Sequence, residues 1–219
     1  MALASPTPVP ADRPFDAVIW DYDGTLVASR AADEHAVERL LALDPGAAEG
    51  AAIFWATEGR PIEERIERAW PGQVDELLPY FENSIKPVPF RGVVTTLNGL
   101  RRRGYRLAVV SSRRRHTLEW GLDATGLRRY FEVVVGLDDV AEPKPSPEGL
   151  NKALDGMGVT PMRAAYIGDL EVDVLAGRRA GVTVWRAVWA SLPTHNDLNV
   201  RWLRRPPEVL QLVEPPPNP

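Results

Sequence analysis

Four short polar clusters along the chain contain the residue types that phosphoryl transfer requires. Each one ends a short apolar run or lies in the loop that follows it, and such runs predict buried strands. Ligands bind outside the carboxyl ends of the strands in a parallel sheet, so we expect the four clusters to meet in one site. The clusters are Asp21-Tyr22-Asp23-Gly24-Thr25, Ser111-Ser112, Lys144 within Glu142-Pro143-Lys144-Pro145, and Gly168-Asp169 followed by Asp173.

These residue types fit the transfer of a phosphoryl group to a carboxylate. Attack by Asp21 would form an aspartyl-phosphate, which splits one difficult step into two. Because the nucleophile and the phosphoryl group are both anionic, a divalent cation and a lysine must neutralise the charge between them. Mg²⁺ prefers oxygen ligands, so Asp21 and Asp169 are candidate ligands, while Lys144 and Ser111 are candidates for binding phosphoryl oxygens. Asp23 lies two residues after Asp21, on the same side of an extended chain, which suits a general acid and base.

Each cluster also has a simpler structural interpretation. The Asp-Gly pair favours a turn, and Ser111 and Asp169 are of the types that cap helix N-termini. A helix N-terminus is itself a place where phosphate binds, so a cap and a phosphate ligand are compatible. Lys144 alone would be an ordinary surface lysine. Asp173 lies one helical turn after Asp169 and faces the same side, but it equally suits the positive end of a helix. The convergence of all four clusters favours the site.

The elements that must position these clusters alternate between strands and helices, which predicts an α/β fold with a parallel sheet. The stretch from residue 29 to about 85 differs, because it has helical spacing and no β-branched strand run. The predicted strands are Phe15–Trp20, Arg106–Val110, Phe131–Val135, Ala164–Ile167 and Val182–Trp185. The predicted helices are Ala31–Leu43, Ile62–Trp70, Val74–Phe81 (weakened by Pro79), Val93–Arg102, Arg114–Leu122, Pro147–Met157 and Leu170–Ala180.

The composition limits the classes of protein and partner. The 219 residues are 44% hydrophobic and 26% charged, as in an ordinary globular domain. A net charge of −4 predicts no nucleic-acid partner, and the absence of cysteine excludes disulfides and cysteine zinc sites. No apolar run reaches the ~20 residues that span a bilayer, and Met1–Pro14 does not fit a signal peptide. We expect a cytoplasmic monomer or homodimer with no membrane partner and with flexible tails at 1–14 and 214–219.

The four clusters, in this order, resemble the motifs of the haloacid dehalogenase superfamily of phosphatases. The first motif, an apolar strand followed by D-x-D-G-T-L, is matched by Val18–Leu26, and the second by Ala108–Ser111. The third, a lysine before a proline and a helix, is matched by Lys144–Glu148, and the fourth, G-D-x-x-x-D, by Gly168–Asp173. The resemblance runs from about Asp16 to Trp185. The sequence is similar to the phosphoglycolate phosphatase and bacterial pyrophosphatase group within this superfamily.

The resemblance implies a Rossmann-like core over residues 15–28 and 87–213, with a helical cap inserted at 29–86. It implies Mg²⁺-dependent hydrolysis of a small phosphate monoester or of pyrophosphate. A sugar-phosphate mutase would use the same residues, and a non-catalytic phospho-receiver or binding protein is a further alternative. The implied nucleophile is Asp21, and the implied acid and base is Asp23. The implied phosphate ligands are Ser111, Ser112 and Lys144, and the implied Mg²⁺ ligands are Asp21, Asp169 and the main-chain carbonyl of Asp23, with Asp173 in a supporting position.

Two arginines outside the motifs are candidate specificity residues. Arg113 begins a basic run, Arg113–Arg115, close to a position where members of this superfamily often carry Asn. The functional interpretation is additional affinity for a highly anionic substrate, and the alternative is a solvated helix face. Arg60 lies in Gly59-Arg60-Pro61, where it would contact substrate or simply open a helix.

Overall fold

Six parallel strands form one sheet in the order β3-β2-β1-β4-β5-β6. The computed structural model describes residues 13–82, 87–191 and 199–213. The predicted α/β fold with a parallel sheet is confirmed. The strands are β1 (Ala17–Trp20), β2 (Arg106–Val110), β3 (Val133–Val135), β4 (Ala164–Gly168), β5 (Thr183–Ala187) and β6 (Arg201–Leu203).

Strand β1 lies at the centre of the sheet, and all four of its residues are fully buried. It is apolar without alternation because helices cover both faces of the sheet, as in other parallel sheets. Val18 and Trp20 point into one hydrophobic cluster, and Ala17 and Ile19 point into another. The strand is therefore fixed from both sides, which fixes the position of Asp21 at its carboxyl end.

Helices flank the sheet and also form a separate unit. Helices α5, α6 and α9 pack on one face, and α7 and α8 pack on the other. No helix in the described ranges combines the length and apolar character needed to cross a membrane. The helices are α1 (Arg30–Leu43), α2 (Ala48–Ala56), α3 (Ile62–Ala69), α4 (Val74–Glu82), α5 (Val93–Arg102), α6 (Arg115–Ala124), α7 (Glu148–Met157), α8 (Glu171–Ala180) and α9 (Glu208–Leu212).

The first four helices, Arg30–Glu82, make up what we call the helical insertion, and they share a hydrophobic cluster of their own. Helix α2 was not predicted, because its sequence AEGAAIFWA is apolar almost throughout and shows no clear helical period. Gly50 in this helix permits a close approach, since a Cβ there would lie 2.3 Å from Nε1 of Trp70. Helix α4 continues through Pro79, which was expected to weaken it.

The chain enters and leaves the helical insertion through a short two-stranded stem. Val27 and Pro89 form an antiparallel bridge. The Ala28 N–H donates to the Val88 carbonyl at 2.9 Å, and the Phe90 N–H donates to the Leu26 carbonyl at 3.0 Å. The two connections therefore lie side by side, directly beyond the first motif.

Differences from the predicted elements are concentrated at the ends of the chain. The predicted core helices and strands are found within about two residues of their expected bounds, but β6 and α9 were not predicted. Residues 1–12 and 214–219 of the predicted tails lie outside the described ranges. Arg13, which we placed in the tail, is buried and donates to the Arg103 and Gly104 carbonyls at 3.2 and 3.3 Å. Arg13 therefore packs against the core instead of belonging to a flexible tail.

Candidate active site

The loop after β1 carries Asp21 and is held close to the loop after β4. The Asp21 N–H donates to the Ile167 carbonyl of β4 at 2.8 Å. Gly24 has φ of +71°, and a Cβ at this position would lie only 2.1 Å from Oδ2 of Asp169. A glycine is needed here both for the left-handed backbone and for this close approach. The Asp-Gly pair of the first motif is thus a turn that brings Asp169 next to Asp21.

Lys144 joins the third cluster to the first and the fourth. Its Nζ donates to Oδ1 of Asp21 at 2.6 Å and to Oδ1 of Asp173 at 2.7 Å. The side chain is only 8% exposed. Burial disfavours the ammonium, but the carboxylates of Asp173 and Asp21 raise the pKa of Lys144 above its ordinary value. Lys144 is therefore a buried cation in the site rather than a surface lysine.

Asp173 supports this arrangement from the first turn of α8. Its Oδ1 also accepts a hydrogen bond from the Tyr166 hydroxyl at 2.7 Å, and its Oδ2 accepts one from the Leu170 N–H at 3.0 Å. The residue is 1% exposed. Both carboxylate oxygens are thus bound by protein donors. The helix-terminus interpretation and the supporting role are both consistent with this geometry, because Asp173 closes the first turn of α8 and orients Lys144.

Three carboxylates form a cluster that can hold a cation. Oxygen atoms of Asp21, Asp169 and Asp173 lie within 4.8 Å of one another. Burial raises the pKa of Asp21 to about 7 and raises that of Asp169 well above its usual value; neighbouring carboxylates reinforce both shifts, and Lys144 opposes them. Burial and mutual repulsion thus oppose the ionisation of Asp21 and Asp169, and a further cation beside them would favour it. Oxygen ligands around a buried negative charge suit a hard divalent cation such as Mg²⁺.

Asp23 is separated from this cluster and is paired with Arg113. Nε of Arg113 contacts both carboxylate oxygens, Oδ1 at 3.0 Å and Oδ2 at 2.8 Å. Burial raises the pKa of Asp23, but the Arg113 guanidinium more than compensates and the net pKa is lowered. Asp23 is 35% exposed and lines the cleft together with Asp21. This arrangement favours the ionised form of Asp23.

The two serines of the second cluster take different positions. Ser111 follows β2 and is buried, and its Oγ accepts a hydrogen bond from the Arg113 N–H at 3.1 Å. It therefore stabilises the turn, while the hydroxyl hydrogen stays available for donation. Ser112 lines the cleft that contains Asp21, whereas Ser111 lines a small neighbouring cavity with Lys144.

The cleft lies between the sheet and the helical insertion and has a volume of about 230 Å³. That is smaller than the ~300–1,000 Å³ of sites for drug-sized ligands, so the cleft fits a small compound. Arg60 lines it, as predicted for a specificity residue, but its guanidinium is paired with Glu64. The charged residues that line the cleft are Asp21, Asp23, Arg30, Asp33, Glu58, Arg60, Arg65, Arg113, Arg114, Lys144, Asp169 and Asp173.

Sequence reasoning missed a buried ion pair in the wall of this cleft. Nη1 of Arg65 in α3 donates to Oδ2 of Asp33 in α1 at 2.9 Å, and the guanidinium lies 3.8 Å from the centre of the Phe54 ring. The two charged residues are 32 positions apart, and neither belongs to a recognisable motif. Tyr166 was missed as well, although a tyrosine in a buried strand needs a partner for its hydroxyl.

Two contacts join the helical insertion to the sheet across the cleft. Arg114, after β2, forms an ion pair with Glu63 in α3. Gly59 lies against the N-terminal end of α8, where a Cβ would meet Leu170 at 3.1 Å and Val172 at 3.2 Å. The insertion therefore closes over the carboxyl ends of the strands.

Comparisons with known proteins agree with this architecture. Residues 18–187 match the family model of haloacid dehalogenase-like hydrolases. The chain is 30% identical over 188 residues to pyrophosphatase PpaX of Bacillus velezensis, a match that covers 81% of this chain and 85% of the relative. It is 29% identical over 206 residues to phosphoglycolate phosphatase of Aquifex aeolicus, covering 90% of this chain and 96% of that protein.

Solved structures share the fold at lower identity. CbbY from Rhodobacter sphaeroides, solved in complex with phosphate, superposes with a TM-score of 0.72 at 22% identity, covering 89% of this chain and 96% of that one. A haloacid dehalogenase superfamily hydrolase from Geobacter sulfurreducens gives a TM-score of 0.69 at 24% identity, covering 94% and 100%. The matched family region contains all four polar clusters. The predicted family and enzyme class are confirmed: this chain is a member of the haloacid dehalogenase-like hydrolase family.

Proposed function

We propose that this protein is a Mg²⁺-dependent phosphatase that hydrolyses a small phosphate monoester, such as phosphoglycolate, or pyrophosphate, through an aspartyl-phosphate on Asp21. The observation that carries the proposal is the contact of Lys144 with both Asp21 and Asp173, beside Asp169. These residues come from three separate clusters, and their proximity in one small cleft supports the roles of nucleophile, neutralising cation and metal ligands. The relatives named as a pyrophosphatase and a phosphoglycolate phosphatase support the choice of substrates.

In the first step, a carboxylate oxygen of Asp21 bonds to phosphorus while the bond from phosphorus to the leaving oxygen breaks. The electron pair goes to the leaving oxygen, which takes a proton from Asp23 where it needs one. Lys144 and the hydroxyls of Ser111 and Ser112 bind the phosphoryl oxygens, whose charge they help to stabilise. Asp23 must gain a proton before it can act as the acid, and its unprotonated oxygen can still accept the hydrogen bond from Nε of Arg113.

In the second step, a water attacks phosphorus and gives a proton to Asp23. The bond between phosphorus and Asp21 breaks, the carboxylate is restored, and inorganic phosphate leaves. Because its pKa is lowered, Asp23 is ionised when the water attacks. A pKa near 7 would make the carboxylate a stronger proton acceptor at this step. The helical insertion excludes bulk water from the cleft during both steps.

We propose that Mg²⁺ is held by the carboxylates of Asp21 and Asp169 and by the main-chain carbonyl of Asp23, with Asp173 as a support. The described oxygen donors fit this ion, whereas the chain has no cysteine for a softer metal. When bound there, Mg²⁺ would offset the charge on the transferred phosphoryl oxygens.

Stabilisation of the protein by Mg²⁺ should grow with pH. Without metal, the pKa of Asp21 is about 7 in the folded state and near 3.8 in the unfolded state, so the folded state binds more protons between these values. This group's contribution to stability therefore falls as pH rises towards 7. Mg²⁺ needs the ionised carboxylate, so it competes with the proton at low pH. We expect a larger Mg²⁺-induced rise in melting temperature at pH 8 than at pH 5.5, measured by calorimetry. Equal shifts at both pH values would contradict this expectation.

The proposed activity is tested by phosphate release from a panel of phosphoglycolate, pyrophosphate, sugar phosphates and nucleotides, with Mg²⁺ and with a chelator. We expect release from at least one small compound, and loss of release when the metal is removed, restored by added Mg²⁺. Release that is unaffected by the chelator would contradict the metal dependence. Isomerisation of a sugar phosphate without phosphate release would instead identify a mutase, and binding without any turnover would identify a non-catalytic protein.

We also propose that residues 29–86 form a cap over a core made of residues 15–28 and 87–213. The net charge of −4 supports a small-molecule partner rather than a nucleic acid. The cytoplasmic location and the monomeric or homodimeric state stay predictions from the sequence.

A further inference from the structure

Arg113 occupies a fixed position between the first and second motifs. Its N–H donates to Oγ of Ser111 at 3.1 Å, and its carbonyl accepts a hydrogen bond from the Leu137 N–H at 2.7 Å. The guanidinium carbon lies 5.7 Å from the centre of the Tyr22 ring. That ring is itself confined, because a Cβ at Gly121 would lie 2.3 Å from the Tyr22 hydroxyl. Both the backbone and the side chain of Arg113 are therefore held in place.

The guanidinium contacts Asp23 with only one of its three nitrogens. Nε makes both hydrogen bonds to the carboxylate. An arginine carries five N–H donors, so the two terminal nitrogens keep four of them. Within the part of the chain that the structure describes, neither terminal nitrogen of Arg113 has a hydrogen-bond partner. The side chain is 23% exposed and lines the cleft beside Asp21 and Lys144.

The three arginines of the helical insertion that line the cleft differ in this respect. Arg30 uses Nη1 to bind Glu58, Arg60 uses Nη1 to bind Glu64, and Arg65 uses Nη1 to bind Asp33. One terminal nitrogen of each is thus engaged with a carboxylate of the helical insertion. Arg113 combines a position in the catalytic loops with terminal donors that stay open to a ligand.

We infer that Arg113 is a specificity-determining residue that binds an anionic oxygen on the leaving group while Nε positions Asp23. This inference rests on the proposed phosphatase activity. To act as the acid, Asp23 must contact the leaving oxygen. The terminal nitrogens of Arg113, whose Nε bonds Asp23, would then lie next to the rest of the leaving group. The favoured substrates therefore carry a carboxylate or a second phosphate close to the scissile bond. A compound whose leaving group is uncharged gains nothing from these donors.

The test compares two substrates of nearly equal size, phosphoglycolate and 2-hydroxyethyl phosphate. The first carries a carboxylate where the second carries an uncharged hydroxymethyl group. We expect wild type to prefer phosphoglycolate in kcat/KM, and Arg113→Met to lower that preference by roughly 10–100-fold, as loss of a charge-assisted hydrogen bond does. Arg113→Lys should keep part of the preference. Arg115→Met is the matched control, because Arg115 pairs with Asp139 outside the cleft and should leave both rates unchanged.

Pyrophosphate, used in the same comparison, shows whether a phosphate or a carboxylate is the better anion. If Arg113→Met lowers kcat/KM equally for phosphoglycolate and 2-hydroxyethyl phosphate, Arg113 only positions Asp23, and the inference is wrong. If wild type releases no phosphate from any compound, it is the proposed function that fails. Calorimetry of the same two compounds binding to Asp21→Asn, with and without Arg113→Met, then still tests the role of Arg113. Loss of the binding preference for phosphoglycolate in the double variant supports that role. An unchanged preference contradicts it.

Discussion

Replacing Asp21 with Asn should lower turnover by roughly 10⁶-fold, the size of effect seen when an enzyme loses its nucleophile. An amide oxygen is a poor nucleophile towards phosphorus, so the covalent route is lost. The fold should persist, because Lys144 keeps its hydrogen bond to Asp173. The measurements are steady-state phosphate release and mass spectrometry of acid-quenched enzyme, in which wild type but not the variant should carry one phosphoryl group.

The matched control for this substitution is Asp75→Asn, which makes the same chemical change on an exposed position of α4. Its turnover should equal that of wild type. Turnover by Asp21→Asn at the wild-type rate would show that Asp21 is not the nucleophile. A phosphoryl group found on the variant would lead to the same conclusion.

Replacing Lys144 with Met should lower both stability and activity. The substitution keeps an unbranched side chain, one atom shorter, but removes the ammonium that bonds Asp21 and Asp173, which leaves buried carboxylates without that charge. Breaking a buried ion pair from one side costs about 3–5 kcal/mol of unfolding free energy. Loss of a group that stabilises charge in the transition state should lower kcat by about 10²–10³-fold. Urea unfolding at pH 8 without metal and phosphate release with Mg²⁺ measure the two effects.

Lys152→Met provides the comparison, because Lys152 is an exposed lysine whose partner Glu148 lies one turn away on α7. It should change neither the unfolding midpoint nor the activity to a measurable degree. Adding Asp173→Asn to Lys144→Met should recover part of the lost stability, since one fewer carboxylate is then uncompensated. A Lys144→Met protein that unfolds like wild type without metal would contradict the view that Lys144 holds the carboxylates together.

The sheet and the residues at its carboxyl edge are the part of the structure that the sequence predicts best. Strands such as Ala17–Trp20 and Ala164–Gly168 are continuous apolar runs, and each ends in a motif. Because the ends of parallel strands meet at one edge, the motif residues are brought together by topology alone. The approach of Asp169 to Asp21 follows from that rule, because β4 pairs directly with β1.

The contacts between Arg113 and Asp23, and between Arg65 and Asp33, do not follow from that rule. They depend on which way a loop or a helix turns its side chains, and the residues are 90 and 32 positions apart. Periodicity reveals which face of a helix is apolar, but not which charge will face it across a cleft. Helix α2 was not predicted for a related reason, because a segment that is apolar on nearly every side shows no helical period.

The stem that joins Val27 and Pro89 has a consequence for how such a protein can diversify. The chain departs and returns at one antiparallel bridge, flanked by two hydrogen bonds. The segment between them is therefore joined to the sheet region at a single place in the chain, and the connections between the strands do not pass through it. Loop-closure entropy changes by only about 0.6 kcal/mol for each doubling of length, so the segment can grow, shrink or be exchanged at little cost to the fold. The proposed nucleophile, acid and lysine all lie outside it. The segment between the two halves of the stem can therefore vary in length and sequence while the sheet and the loops at its carboxyl edge keep their positions.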